Sequence, residues 1–296
     1  MNSKHVILSL VLITILGGCG RPEEGTGRQV IQNKGSDTLV NVAQAWAEAY
    51  QTVNPDAAIA VTGGGSGTGI AALLNDTVDI ANSSREIKES ELATLRAAGH
   101  SPQEFIVGYD ALAIFLNEAN PIQSLTVSQL KAIYGDNGEI VKWSQLGVTV
   151  PGCDSDEIIV VSRQNNSGTY AYFREAVLAD GDFRLGTRDM HGSKDVVDLV
   201  EKTACAIGYS GLAYATDEVH MPCVQQEDGG PCITPNEETA VDGSYPIARP
   251  LFMYTSDMPE GAVKVYLDWI LSDTGQCIIQ GMGYAPVTTP TCPAAL

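Results

Sequence analysis

The chain has 296 residues, 44% of them hydrophobic and 18% charged, with a formal net charge of −19. That is apolar material for two modest domains or one large one, and it excludes a chain disordered over its main body. The acidic balance excludes nucleic acid and anionic lipid as electrostatic partners, and any anion site must work through local, short-range donors. Residues 6–16 form an apolar run behind Lys4, broken by Ser9 and Thr14. The run is too short to span a bilayer and fits the core of a signal peptide, residues 1–18. Residues 19–27 read as a flexible tether.

Beyond the tether, strand and helix patterns alternate. Residues 29–32 read as a strand. Residues 38–53 read as an amphipathic helix with Leu39, Val42, Ala43, Trp46, Tyr50 and Val53 on one face. A strand over residues 57–62 leads into the loop Gly63-Gly64-Gly65-Ser66-Gly67-Thr68-Gly69 and a helical pattern carrying Ile70, Leu73 and Leu74. Residues 78–81 are strand-like, and residues 89–98 a helix ended by Gly99. A long apolar run covers residues 105–116. Helices near residues 127–134 and 168–178 flank a strand over residues 158–161. Further helices cover residues 194–202 and 263–271. The alternation predicts a mostly parallel sheet covered by helices. Residues 223–245, rich in Gly, Pro, Glu and Asp, read as a surface excursion stapled by a disulfide, after which residues 245–254 resume an extended apolar pattern.

Leu16-Gly17-Gly18-Cys19 resembles the lipobox of bacterial lipoproteins. The resemblance implies cleavage before Cys19, lipidation of its thiol and an extracytoplasmic, membrane-anchored chain; an ordinary secretory signal with an incidental cysteine is the plainer alternative. Of the seven cysteines, six remain without Cys19: Cys153, Cys205, Cys223, Cys232, Cys277 and Cys292. An even number in an exported chain suggests structural disulfides, and without CxxC spacing no metal is expected. Cys277 and Cys292, close together near the C-terminus, are expected to pair. Pairing among the other four stays open.

Four polar turns carry the chemistry. They are Gly35-Ser36-Asp37-Thr38, the glycine loop at residues 63–69, Asn82-Ser83-Ser84-Arg85, and Arg163-Gln164-Asn165-Asn166-Ser167-Gly168-Thr169. Each follows a predicted strand, and turns at the carboxyl ends of strands in an open α/β sheet gather where ligands bind. Glycines and helix N-termini offer backbone N–H groups and a partial positive charge to an anion. Taken singly, each turn is also an ordinary helix cap, and Arg163 an ordinary surface or structural charge.

The order Gly-Ser-x-Thr, Gly-Gly-Ser-Gly-Thr-Gly, Ser-Ser-Arg, Arg-x-x-x-Ser-Gly-Thr resembles the phosphate-binding subunit of the bacterial high-affinity phosphate ABC transporter. Gly108-Tyr109-Asp110-Ala111-Leu112-Ala113, Ile207-Gly208-Tyr209 and Tyr245-Pro246-Ile247-Ala248-Arg249-Pro250-Leu251 match as well, so the resemblance spans nearly the whole mature chain. It implies an α/β, two-lobed periplasmic-binding-protein fold of type 2, with a ligand cleft between lobes and two hinge crossings. Lobe 1 is then residues 28–110 and 249–296, and lobe 2 residues 111–248. The implied ligand is inorganic phosphate, held by Thr38 and the N–H of Leu39, by Ser66 and Ser84, and by Arg163, Ser167, Gly168 and Thr169, with Arg163 the only full positive charge. The implied partner is an ABC transporter permease. No cofactor, no catalysis and a monomer are expected.

Many members place an aspartate where this chain has Ser84, and that aspartate accepts the proton of hydrogen phosphate and rejects sulfate. Others share the Ser-Ser-Arg form. A hydroxyl both accepts and donates, so Ser84 rejects sulfate less firmly, leaving sulfate, molybdate or phosphonate as rival ligands. Asp37 or Glu86 could supply the acceptor, and Ser36 or Asp37 could cap the first helix. Arg85 is expected to pair with an acidic residue. A hydrolase using Ser66 is weakly supported: Gly64-Gly65-Ser66-Gly67-Thr68 misses the last glycine of a nucleophile elbow, and His100, His191 and His220 lie outside the turns. Gly67-Thr68-Gly69-Ile70-Ala71-Ala72 fits a relaxed dinucleotide pattern without companions, and no Walker lysine follows the glycines.

Overall fold

A computed structural model describes residues 29–293. The expected signal peptide, Cys19 and the tether lie outside the described residues. The chain runs β1 (Gln29–Gly35), α1 (Val40–Val53), β2 (Ala57–Thr62), α2 (Ser66–Leu74), β3 (Ile80–Ser83) and α3 (Glu89–Ala97), then enters the long strand β4 (Gln103–Asn117). Next come β5 (Ser124–Thr126), α4 (Val127–Tyr134), β6 (Ile159–Arg163), α5 (Gly168–Ala176), β7 (Arg188–Met190), α6 (Ser193–Glu201) and β8 (Ala206–Gly211). The short elements β9 (Val219–His220), β10 (Cys223–Gln225), β11 (Cys232–Ile233) and α7 (Glu237–Val241) precede the return strand β12 (Ala248–Thr255), and α8 (Gly261–Ile270) and α9 (Asp273–Gly281) close the fold.

The main sheet has the order β2-β1-β3-β12-β4-β8-β6-β7, with β9 added on β4. Parallel ladders are confined to its flanks: β1 with β2 and β3 on one side, β6 with β7 and β8 on the other. In between, β12 is antiparallel to both β3 and β4, and β4 is antiparallel to β8. The expected mostly parallel sheet is therefore corrected. Two strands passing between lobes in opposite directions must pair antiparallel, and they occupy the middle of the sheet.

β4 changes partners along its length. Residues 103–111 pair with β12 and residues 112–116 with β8. Both faces of these strands are covered, which explains their continuous apolar runs. In β12, Leu251 and Met253 pack with Leu39, Val42, Trp46 and Tyr266, while Phe252 and Tyr254 pack with Ile70, Leu73 and Leu95 on the other face. In β4, Leu112, Ile114 and Leu116 join one core of the second lobe, and Ala113 and Phe115 join another with Val161, Val196 and Val200.

Three disulfides form: Cys153–Cys205, Cys223–Cys232 and Cys277–Cys292. Cys277–Cys292 is the pair expected. Cys223–Cys232 closes the β10–β11 hairpin, whose β10 adds parallel to β5 in a small separate sheet. Helix α9, which carries Cys277, was not anticipated, because its apolar positions are few and a glycine lies inside it.

Candidate functional site

β6 runs opposite to β1, β2 and β3 within the sheet. Its turn therefore leaves the sheet at the opposite edge from theirs. The lobes instead face each other, which sets the turn after β6 against the other three.

Contacts across this boundary are direct. The Thr38 and Thr169 hydroxyls are 2.9 Å apart. The Gly67 N–H donates to the Asn166 carbonyl at 2.9 Å, and Asn166 Nδ2 donates to the Gly64 carbonyl at 2.9 Å. Gly65 has φ of +90°, and a Cβ there would lie 2.7 Å from the Asn166 carbonyl oxygen, so only glycine fits this approach. Tyr214 Oη donates to the Asp37 carbonyl at 2.6 Å.

Every site side chain expected from the turns enters one buried cluster; Thr38, Ser66, Ser84, Arg163, Ser167 and Thr169 are each at most 3% exposed. Ser66 heads α2, and its Oγ accepts from the Ser84 N–H at 3.0 Å. Ser36 Oγ donates to Ser84 Oγ at 2.9 Å. Gly168 lies so close that a Cβ would stand 2.3 Å from Ser66 Oγ and 2.7 Å from Ser84 Oγ. Ser167 caps α5, accepting from the N–H groups of Thr169 and Tyr170 at 3.1 and 3.4 Å. Leu39 is buried, and its N–H donates to the Ser36 carbonyl at 3.2 Å.

Arg163, at the end of β6, is held by Ser193 Oγ and the His191 carbonyl, each at 2.8 Å, and by Asp37 Oδ2 at 3.3 Å. Its Nε is buried without a partner among the described residues. Burial works against the Arg163 charge and Asp37 supports it, so its pKa is lowered; a guanidinium stays charged all the same. Asp37 Oδ1 accepts from the Gly64 N–H at 2.8 Å. Neither Ser36 nor Asp37 caps α1, whose N-cap Leu39 has no side-chain cap, because both side chains turn toward other loops. Of the two acceptors considered, Asp37 joins the cluster. Glu86 is exposed, facing an outer cavity with Lys88 and Tyr170. Arg85 pairs with Glu91 through two contacts of 2.8 and 2.9 Å, as a structural bridge at the start of α3. Burial raises the Glu91 pKa, but the Arg85 and Lys88 contacts outweigh it and hold the carboxyl low.

One cation was missed. Arg249 lies in the cluster, within 3.1 Å of Thr169 Oγ1 and 3.4 Å of Thr38 Oγ1, so Arg163 is not the only full charge. A sequence signal existed: Arg249 and Asp110 are opposite charges placed singly in two apolar runs. A cavity of about 570 Å³ beyond α4, lined by Lys131, Asp136, Glu139 and Asp182, contains none of these residues.

Two α/β lobes joined by two crossing strands, with a buried knot of hydroxyls and guanidiniums between them, define a two-lobed solute-binding protein whose donors suit an oxyanion. The PBP superfamily domain matches residues 21–274. Over 277 residues the chain is 33% identical to the phosphate-binding protein PstS of Pseudomonas aeruginosa, covering 90% of this chain and 85% of that one. It is 29% identical to the protein SphX of Synechococcus elongatus, with 92% and 82% covered. A Clostridium perfringens crystal structure described as a phosphate ABC transporter substrate-binding protein with bound phosphate superimposes with a TM-score of 0.76 at 30% identity, covering 88% of this chain and all of that one. An ABC-type phosphate transport receptor from Vibrio cholerae gives 0.68 at 26% identity, covering 86% of this chain and 99% of that one. The chain belongs to the PstS family of phosphate-binding proteins within the PBP superfamily.

Proposed function

We propose that this chain binds inorganic phosphate in the cleft between its lobes, outside the cytoplasm, and delivers it to the permease of an ABC importer. The observation that carries the reading is the convergence of Thr38, Ser66, Ser84, Ser167, Thr169 and Arg163 in one buried cluster drawn from both lobes. The Nε of Arg163, buried without a partner among the described residues, adds a charged donor. Hydroxyls and helix N-termini spread compensation over several dipoles, and a guanidinium supplies the charge-assisted contact. Gly168 contributes close backbone approach; the expected Leu39 N–H already donates to the Ser36 carbonyl and would share that hydrogen with the ligand. This cluster binds rather than catalyses.

The lobe boundaries at residues 110/111 and 248/249 are supported by the change of partner along β4 and by the pairing of Ala248 with Ala111. The protein is anchored through lipidated Cys19, a reading supported by the likeness of Leu16-Gly17-Gly18-Cys19 to a lipobox, and we propose that it acts as a monomer.

Titration calorimetry of the chain starting after the tether, with phosphate, sulfate and molybdate, tests the assignment. Phosphate is expected to bind at one site per chain and more tightly than the others. Absence of heat with phosphate would sink it. Equal sulfate and phosphate affinities would move the assignment to a general oxyanion carrier, with Ser84 as the physical reason. In the full chain, Cys19→Ser is expected to abolish detergent partitioning without touching the heat; unchanged partitioning refutes the anchor.

A further inference from the structure

The two hinge strands carry a buried ion pair that the four turns do not account for. Arg249 on β12 stands opposite Asp110 on β4 in their antiparallel ladder. Both side chains are buried, at 1% and 0% exposure. Arg249 donates from Nε and Nη2 to the same oxygen, Asp110 Oδ2, at 3.1 and 2.7 Å. Its Nη1 donates to the Ser84 carbonyl at 2.9 Å, and its guanidinium lies 5.6 Å from the centre of the Tyr172 ring. Asp110 Oδ1 accepts from the Leu212 N–H at 3.1 Å.

One Nη2 hydrogen is taken by Asp110, and the other is turned to the centre of the cluster. Nη2 lies 3.4 Å from Thr38 Oγ1 and 3.1 Å from Thr169 Oγ1, two hydroxyls from opposite lobes. A guanidinium fastened only for structure has no need of this position. A buried ion pair is often less stabilising than apolar residues of the same volume, so stability alone is a weak reason for the pair.

The charges in the cluster balance. Arg163 faces Asp37, and Arg249 faces Asp110. Without Arg249 the balance would be negative, and an incoming oxyanion would meet uncompensated carboxylate charge in a medium where such charge is costly.

We propose that Arg249 is a second ligand-contacting cation, donating from Nη2 to the oxyanion between Thr38 and Thr169, and that Asp110 is its positioning residue. The inference rests on the phosphate reading above and deepens it. Because Arg249 sits on a hinge strand, its charge stays at the floor of the cleft while hydroxyls from both lobes close over it. Two cations and a serine at residue 84 favour dianionic over monoanionic phosphate.

The ionisable groups facing Arg249 are Asp110 on β4, Tyr172 on α5, Arg163 on β6 and Tyr284 after α9. Burial pushes both tyrosines up, so they stay neutral near pH 7. Burial also raises the Asp110 pKa, against the pull of Arg249.

Calorimetry with inorganic phosphate at about pH 6 and about pH 8, spanning its second ionisation, is the test. Wild type is expected to bind more tightly at the higher pH. Arg249→Gln should lose about 30-fold in affinity and most of that pH dependence, with Arg249→Lys in between. Since Arg249→Gln leaves Asp110 buried and unpaired, the double variant Arg249→Gln/Asp110→Asn is measured beside it and is expected to lose the same pH dependence. Wild type that binds phosphate while folded Arg249 variants bind within threefold, with the pH dependence unchanged, overturns this proposal alone. Wild type that gives no heat overturns the phosphate reading and this one with it.

Discussion

Gly168 sits at a close contact between the two lobes, with the Ser66 and Ser84 hydroxyls filling the space a side chain would take. Its neighbour Ser167 caps α5 and holds that helix start in place. Gly168→Ala would drive a methyl group into two hydroxyls that belong to the other lobe. Overpacking of this kind costs about 1–3 kcal/mol. Because the clash is across the cleft, it is expected to weaken phosphate binding about tenfold or more while leaving the thermal midpoint of the ligand-free protein nearly unchanged. A variant that binds like wild type would show that Gly168 does not approach Ser66 in the bound form. Asp37 belongs to the same scale. Its two oxygens join the glycine loop to Arg163, so one side chain ties three of the four turns together.

The hinge elements depend on what enters and leaves them. His100 lies just before β4, and Asp257 just after β12. Asp257 accepts from His100 Nδ1 and from the Ser101 N–H, both at 2.7 Å, and Asp76 lies 3.5 Å from His100 Nε2. The hydrogen bond to Asp257 raises the His100 pKa above its usual 6.5, and the same contact holds Asp257 below its usual 3.8. The signs follow from linkage. The raised histidine contributes stability that is fully present below its unfolded value and lost as pH climbs through its folded value. The lowered aspartate contributes stability that is lost as pH falls through its folded value. The pair therefore supports the ends of β4 and β12 most in mildly acidic solution. Thermal melts of wild type and His100→Gln from about pH 5 to about pH 9 should show a gap that is widest at the acid end and shrinks as pH rises. A gap independent of pH would mean that only the packing of the ring matters.

The whole molecule is strongly acidic, with a net charge of −19, yet the site is read as one for an anion. Contact donors resolve this at equilibrium, because a hydrogen bond at about 3 Å is felt far more than diffuse surface charge. The encounter is different. A free anion approaches through the field of the whole protein, and that field repels it. Stopped-flow association with phosphate is therefore expected to accelerate as ionic strength rises from about 0.01 M to about 0.15 M, where the Debye length falls from about 30 Å to about 8 Å. A rate that falls with added salt would mean that a local positive potential at the cleft mouth outweighs the overall charge. Arg163 and Arg249 are both buried against carboxylates, and that pairing offsets the cost of taking their charge out of water.

Much of this was readable without coordinates because it is local. Turn chemistry depends on a few adjacent residues, so the four turns and the hydroxyls at Thr38, Ser66, Ser84 and Ser167 stood out in the chain. The Cys277–Cys292 pair was legible from a separation of 15 residues, whereas Cys153–Cys205, 52 residues apart, needed the fold to bring β6 and β8 together. Pair register is a different kind of fact. A lone arginine in an apolar strand says that something must neutralise it, but not what. Only the alignment of β12 with β4 set Arg249 against Asp110, and only the facing of the lobes set Asp37 against Arg163. The direction of β6 was likewise a property of the whole sheet, since it depends on every ladder between β3 and β6. Sequence determined which groups this protein offers to an anion. Tertiary structure decided which of them meet, because long-range pairing and the burial of charge are settled by the packing of the entire chain.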